Sequence, residues 1–303
     1  MRARGDRLTN LVLSGHTLLS SEALGLALIR CRNLTSFDFS SSLFSNAPSS
    51  ETTRGWTSIR IDNCTGVTDS GMHALAYAAG RTLRTLSIGG AFNRLTDSTC
   101  AHIGAHCAPA TLTRLEMTSA NFTSSGLAAL RAIASHLDHL DLSNSQGLSE
   151  SALRELLPSK GAGCGPHLRV LKLRGCIGAM TDDVFSSWWP RAHRLRWLDV
   201  SECPRLSCVS AVLIASSYDR PAGRRPELRL VEMHRCEGIM RRGRDRLRCL
   251  ASRVATLRIA GVDDGGDDDA TAATTSAPMA ELQAALERAG LEPPDGDSHH
   301  GQL

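Results

Sequence analysis

Two histidines and two cysteines stand close together at Cys100, His102, His106 and Cys107. Imidazole and thiolate groups are ligands that zinc prefers, and histidines at positions i and i+4 share one helical face, as paired zinc ligands do. On the same helix Cys100, Ile103 and Cys107 occupy the positions that would face a core, so the two histidines are expected to face solvent. We therefore predict no metal site here, no cofactor, and buried thiols with a structural role.

No other group of residues has the spacing of a catalytic site. The glycine-rich stretch Gly161–Gly165 lacks the Lys-Ser or Lys-Thr ending of a phosphate-binding P-loop. Neither a nucleophile beside a base nor a pair of carboxylates occurs in a distinctive context. The sequence predicts a protein that is not an enzyme and has no catalytic residues.

Arginines form the densest charged group of the sequence. Five of them lie in the segment 241–248, and others precede it: Arg220, Arg224, Arg225, then Arg241, Arg242, Arg244, Arg246 and Arg248. A solvated helix face explains such a run, while an acidic protein, a phosphate backbone or the chain's own acidic tail would also bind it. No aromatic residues alternate with the arginines in 241–248, which favours a protein partner over nucleic acid.

The elements that must position these side chains recur along the chain. Ten short apolar segments begin at Leu8, Leu34, Trp56, Leu83, Leu112, Leu137, Leu168, Leu195, Leu228 and Val254. Apolar residues return three and five places after each start, as on the buried side of a short strand. Thr68, Thr96 and Thr181 then offer N-cap oxygens for helices. One such unit cannot bury its apolar side alone, so the units must stack on one another.

In units two to nine a small residue stands eight places after the start, and in four of them it is a cysteine: Cys64, Cys176, Cys203 and Cys236. With this position and the Thr-Asp pairs that open helices, residues 8–260 resemble the cysteine-containing leucine-rich repeats of F-box/leucine-rich-repeat proteins. The resemblance implies an α/β solenoid over residues 1–260, a horseshoe of about ten units with a concave parallel β-sheet and convex helices. It also implies that these cysteines turn inward and bond to the backbone of the turn.

The same resemblance implies a function in protein binding. The repeats of such proteins recognise the substrates of ubiquitin ligases, so ubiquitin-ligase components are expected partners. No F-box is seen before the first strand, which begins at residue 8. The expectation is therefore a non-catalytic scaffold for protein–protein interaction. A structural subunit of a cytoskeletal, ciliary or other large assembly is the alternative.

Residues two, four and six places after each start should point away from the core into the concave surface. In units five to nine these positions carry most of the charge, and they are the predicted partner-binding residues: Arg114, Glu116, His139, Asp141, Lys172, Arg174, Trp197, Asp199, Glu232 and His234. Tryptophan and arginine most often dominate interfaces. We therefore expect Trp197 to be an exposed hot spot, followed by Arg174.

Charge is distributed unevenly along the 303 residues. Residues 261–303 hold ten acidic residues and one arginine, which gives them a net charge of −9. Because the whole chain has a net charge of +3, residues 1–260 carry +12. The composition predicts an acidic disordered linker at 261–275, a short amphipathic helix at 276–290 and a disordered tail at 291–303. Ten cysteines without an export signal, and no apolar run of ~18 residues, indicate a cytoplasmic or nuclear protein that does not enter a membrane.

Overall fold

A computed structural model of the chain describes residues 8–12, 35–38, 55–64, 67–90, 95–120, 122–160, 163–219, 226–239, 241–253 and 258–260. Over these ranges ten three-residue strands form one parallel sheet, and each strand lies beside the next one in the chain. This order confirms a solenoid of stacked units. The predicted linker 261–275, helix 276–290 and tail 291–303 lie outside the described residues.

The strands have the same length in every unit. They are β1 (Asn10–Val12), β2 (Ser36–Asp38), β3 (Ser58–Arg60), β4 (Thr85–Ser87), β5 (Arg114–Glu116), β6 (His139–Asp141), β7 (Val170–Lys172), β8 (Trp197–Asp199), β9 (Leu230–Glu232) and β10 (Arg258–Ala260). From β1 to β9 each strand begins two residues after the predicted start of its unit, so the repeat pattern located these nine strands.

The last unit begins later than predicted. Ile259 pairs with Val231 and Arg258 with Leu230, so the unit starts two residues after Val254. The physical reason is that side chains alternate with a period of two, and a shift of two residues leaves the same apolar residues on the same face. The alternation therefore indicated the strand but not its register.

Helices return the chain between most of the described strands. They are α1 (Asp69–Ala79), α2 (Asp97–His106), α3 (Ser124–Ala129), α4 (Arg131–Ala134), α5 (Glu150–Leu156), α6 (Asp182–Trp188), which continues into a 3₁₀ turn (Trp189–Arg191), α7 (Cys208–Ser217) and α8 (Arg241–Arg253). Thr68, Thr96 and Thr181 cap their helices with side-chain oxygens, as predicted. None of the helices in the described ranges is long and apolar enough to cross a membrane.

The aspartate that follows each threonine cap bonds to the neighbouring unit. Asp69 accepts hydrogen bonds from the backbone N–H of Thr96 (3.0 Å) and from its hydroxyl (2.7 Å). Asp97 accepts the equivalent pair from Thr123. The sequence identified the caps, but the structure shows that their aspartates also join consecutive helices.

The apolar core lies between the sheet and the helices. The central residue of each strand from β3 to β9 is at most 1% exposed, for example Leu115, Leu140 and Leu171. Each of these side chains packs on the equivalent residue of the next strand, since Leu115, Leu140 and Leu171 are in register. Burying a leucine contributes about 1.5–3 kcal/mol, so this repeated column stabilises the stack strongly.

The cysteines after the strands point into this core. The thiols of Cys176, Cys203 and Cys236 donate to the carbonyl oxygens of Leu142, Leu173 and Val200 in the preceding unit, at 3.2, 3.2 and 3.1 Å. Cys64 is also buried, with Sγ 3.7 Å from the carbonyl oxygen of Asp62. The predicted inward, backbone-bonding role of these residues is confirmed.

Candidate protein-interaction face

Strand pairing places eight of the ten predicted partner-binding residues in two rows on the concave face. The first row contains Arg114, His139, Val170, Trp197 and Leu230, and the second contains Glu116, Asp141, Lys172, Asp199 and Glu232. Adjacent strands of a sheet lie about 4.8 Å apart, so each row is a continuous line of neighbouring side chains. The predicted clustering on one face is therefore present in the structure.

Arg114, Glu116 and His139 form the first group of this face. The Nε of Arg114 donates to Oε1 of Glu116 at 2.8 Å. Nε2 of His139 lies 3.2 Å from the same oxygen, but without the angle of a hydrogen bond. Burial lowers the pKa of His139 to about 4, so its imidazole is neutral at pH 7.

Glu116 stays ionised in this group although it is largely buried. Burial alone would raise the pKa of Glu116, but the contacts with His139 and Arg114 outweigh it and hold the pKa well below its usual range. Because His139 is neutral at pH 7, Arg114 is the cation that keeps Glu116 charged. The group is a half-buried ion pair with an imidazole beside it.

Two residues outside the predicted set extend the group. The hydroxyl of Ser87 lies 2.7 Å from Asp62 Oδ1 and 3.0 Å from Glu116 Oε2. Burial raises the pKa of Asp62, although hydrogen bonds from Ser87 and Gly89 oppose the rise. The sequence contained a signal for Asp62, because it stands six places after the start of its unit, but the prediction began only at unit five.

Lys172 and Trp197 form the centre of the face. The ammonium group of Lys172 lies over the indole, 4.3 Å from the ring centroid, and 3.9 Å from Oδ2 of Asp141. Trp197 is only 7% exposed, and its Nε1 has no hydrogen-bond partner among the described residues. The expectation of an exposed indole is wrong, since the lysine of the adjacent strand packs over the ring.

Carboxylates crowd the end of the second row. Burial raises the pKa of Asp141 to about 6, and burial followed by the charge of Asp199 raises the pKa of Glu232. Asp141 and Asp199 each also accept a hydrogen bond at 2.9 Å from the backbone N–H two residues later. Each of these two aspartates therefore stabilises the turn that follows its own strand. Asp141 also faces Lys172, and Asp199 faces Glu232.

Arg174 and His234 lie at the exposed margin of the face. Nη2 of Arg174 is 2.9 Å from Oε1 of Glu202, and its side chain remains 47% exposed. His234 is exposed, and its backbone N–H donates to the hydroxyl of Ser201. Of the predicted residues these two are the most accessible to a partner.

The arginine cluster is only partly described. Nε of Arg244 donates to the carbonyl oxygen of Ile239 at 2.9 Å, and Arg248 lies 3.6 Å from Asp245. Arg220, Arg224 and Arg225 lie outside the described residues. The side chains of Arg241 and Arg242 lie outside them too. Binding of an acidic partner or of the acidic tail by this cluster stays a prediction.

The histidines of α2 do not simply face solvent. His102 and His106 are half-buried, and both rings lie against His73 of α1, with ring centroids 4.5 and 5.2 Å apart. The positions of His102 and His106 along α2 could not reveal this contact, because His73 belongs to the neighbouring helix. Cys100 and Cys107 are buried in the core, as predicted.

A family model described as a leucine-rich repeat matches residues 108–130, the segment that contains β5 and α3. Together with the parallel sheet and its register, this match decides the fold. The chain has the fold of a leucine-rich-repeat solenoid. No curated protein matches its sequence.

Two solved structures are similar to this chain. The chain is similar to a chain in the crystal structure of the Rad7–Elc1 complex in yeast, with a TM-score of 0.52 and 16% identity, over 84% of this chain and 75% of that one. It is also similar to a chain in an octameric complex of latrophilin 3, Unc5D and FLRT2, with a TM-score of 0.41 and 10% identity, over 88% and 87%. At this identity the likeness to the Rad7–Elc1 structure concerns the fold.

Proposed function

We propose that this solenoid is a non-catalytic scaffold that binds a protein partner on its concave face. The observation that carries the proposal is the unbroken run of ionisable side chains across β5 to β9. A solenoid needs only polar residues on its inner sheet, yet this face buries Asp141 and Glu232, whose raised pKa values show that their charged forms are disfavoured. Ionisable groups in unfavourable surroundings cluster at functional sites.

The charges of the face also indicate the chemistry of the partner. Lys172 is the cation that faces Asp141, Asp199 and Glu232, so acidic groups outnumber it in the second row. A lysine or arginine from a partner would lower the cost of ionising Glu232 beside Asp199. Arg174, His234 and Glu202 then supply polar contacts at the margin, as in the rim of a typical interface.

The finer proposal is a role similar to that of the substrate-recognition repeats of ubiquitin-ligase receptors. The backbone-bonded cysteines support it, because the repeats of F-box/leucine-rich-repeat proteins, which this chain resembles, carry cysteines at the same position. A structural subunit of a large assembly would use the same face permanently.

Arg174→Glu tests the face at its exposed margin. The matched control is Arg154→Glu, because Arg154 is similarly exposed and pairs with Glu150 on α5, away from the sheet. Wild type and both variants are used as baits in native cell extract, and recovered proteins are quantified by mass spectrometry. We expect a defined set of proteins to be lost with Arg174→Glu and retained with Arg154→Glu.

The identity of the lost proteins separates the two finer roles. Ubiquitin-ligase subunits with their substrates support the receptor-like role, whereas stable cytoskeletal or ciliary components support the structural role. Equal recovery by both variants, with unchanged circular dichroism, contradicts the concave-face assignment. Binding of RNA with a steep salt dependence that is lost on replacing Arg241, Arg242 and Arg244 would contradict both roles.

A further inference from the structure

Three histidines from neighbouring repeats meet on the helical side of the solenoid. His73 lies on α1, and His102 and His106 lie one turn apart on α2. One nitrogen from each ring lies within 4.8 Å of the other two. His73 is exposed and the other two are half-buried, so the group opens to solvent at the molecular surface.

The packing of α1 against α2 holds the three rings together. Near the start of the helices, Asp69 of α1 accepts hydrogen bonds from Thr96 and from the hydroxyl of Thr99 (2.6 Å). At the other end Ala108 donates its backbone N–H to the carbonyl oxygen of Gly80 at 3.0 Å. The helices are therefore tied together on both sides of the histidines.

Gly80 permits the close approach at this second end. A Cβ atom at Gly80 would lie 2.5 Å from the carbonyl oxygen of His106 and 2.4 Å from that of Ala76, closer than atoms approach in proteins. No other residue fits there without moving the helices apart. The distance between His73 and His106 thus follows from backbone packing and does not depend on side-chain placement alone.

We propose that His73, His102 and His106 bind a first-row divalent metal ion, zinc being the natural occupant, with the fourth position open to water. In tetrahedral zinc sites the Zn–N distance is about 2.0–2.1 Å, so ligand nitrogens lie about 3.4 Å apart. The ligand nitrogens of the three rings lie at most 4.8 Å apart, so each pair must approach by about 1.4 Å or less. Small side-chain rotations are enough for this approach. Three imidazoles with one open position are also the ligand set of known zinc sites.

The surroundings suit neutral imidazole ligands. Imidazole binds a metal ion in its unprotonated form, and an imidazole with the ordinary pKa of about 6.5 is mostly unprotonated at pH 7. Tyr77 packs edge-on against His106, with centroids 5.6 Å apart, and restricts its rotation. Cys100 and Cys107 are not ligands, because both thiols are buried on the core side of α2.

A metal ion here would join two adjacent repeats. It would add a cross-link on the outer surface between α1 and α2, the helices that follow β3 and β4. The concave face lies on the opposite side of the sheet, so the inference is independent of the proposed partner binding. Metal binding that is specific to the folded state stabilises it by RT ln(1 + L/Kd), where L is the concentration of free metal, so the melting temperature rises with that concentration.

Zinc titration of the metal-stripped full-length protein tests the site. The background variant carries His299→Gln, His300→Gln and Cys249→Ser, which remove an adjacent histidine pair and an exposed thiol that could bind zinc elsewhere. Calorimetry with zinc chloride is expected to show one site per chain, and zinc is expected to raise the melting temperature. Cobalt should bind at the same site and give a visible absorption spectrum without thiolate bands.

His73→Gln in this background is the decisive variant, and His136→Gln is its control, since His136 is an exposed histidine away from the cluster. We expect His73→Gln to weaken zinc affinity at least about tenfold and to abolish the thermal shift, while His136→Gln changes neither. Equal binding by both variants, with unchanged circular dichroism, would overturn the site. So would absence of zinc binding by the background variant at micromolar concentration.

Discussion

The ammonium group of Lys172 lies 4.3 Å from the centroid of the Trp197 ring, and the two residues belong to neighbouring strands of the sheet. The contact explains why the indole is buried on a face that otherwise opens to solvent. It also places the one cation of the second row between Asp141 and the pair Asp199 and Glu232. The centre of the face is therefore a packed charge arrangement.

The Lys172–Trp197 contact should be measurable as a coupling energy. Lys172→Met keeps the length of the side chain but removes its charge, and Trp197→Leu removes the ring. Because a cation over an indole contributes about 0.5–2 kcal/mol, the double-mutant cycle is expected to show a coupling of this size in urea unfolding at pH 7. Strictly additive effects of the two changes would contradict the contact.

The buried carboxyl group of Asp141 should make stability depend on pH. Burial raises its pKa from 3.8 to about 6, so the folded chain holds a proton that the unfolded chain has released. Stability from this group is complete below pH 3.8 and is lost as pH rises to 6. The free energy of unfolding of Asp141→Asn, taken relative to wild type, should therefore increase by roughly 2–3 kcal/mol from pH 4 to pH 8.

Urea unfolding at both pH values measures this difference for Asp141→Asn. The exposed carboxylate of Glu237 provides a control, because Glu237→Gln is expected to leave the difference unchanged. An Asp141→Asn difference that is the same at pH 4 and pH 8 would show that this carboxyl group titrates normally.

The turn after β7 requires a left-handed backbone at Gly175. Its φ is +68°, and an added Cβ would lie 2.4 Å from Oδ1 of Asn144. Gly175→Ala is expected to lower the free energy of unfolding by about 1–2 kcal/mol. Gly178→Ala is the matched control, since an added Cβ there meets only the carbonyl oxygen of Leu148 at 3.7 Å, and it should change stability by less than about 0.5 kcal/mol.

Alkylation rates should separate the buried cysteines from the exposed one. Burial raises the pKa of Cys176 to about 12 and also raises that of Cys203, so neither forms the reactive thiolate at pH 8. Cys249 is exposed. In folded protein treated with iodoacetamide, peptide mapping should find Cys249 modified and Cys176 and Cys203 protected until urea is added. Equal rates in the folded state would contradict the core position of these cysteines.

Much of the fold could be predicted because it repeats. The start of every strand from β1 to β9 followed from apolar residues at fixed offsets. The inward position of the cysteines followed from the resemblance to cysteine-containing leucine-rich repeats. The tenth unit shows where this reasoning fails. With a strand period of two, either Leu257 or Ile259 could be the central apolar residue of the strand, and only the pairing of Ile259 with Val231 distinguishes the two registers.

The candidate site was predictable in membership but not in detail. Alternation along each strand identified which side chains share the concave face, including Glu116, Lys172 and Trp197. It could not show that Trp197 would be covered, because that depends on where the Lys172 side chain of the adjacent strand lies. Exposure is decided by neighbours from another unit, which one strand's sequence does not specify.

By itself, the sequence of this protein determined its architecture, because one local pattern repeated often enough to leave a single way of burying its apolar residues. Only the tertiary structure decided which polar side chains meet. His73 faces His102 and His106, and Asp69 bonds to Thr96, because consecutive helices pack side by side. Contacts of this kind join residues about 30 positions apart, and their geometry exists only once neighbouring repeats have packed.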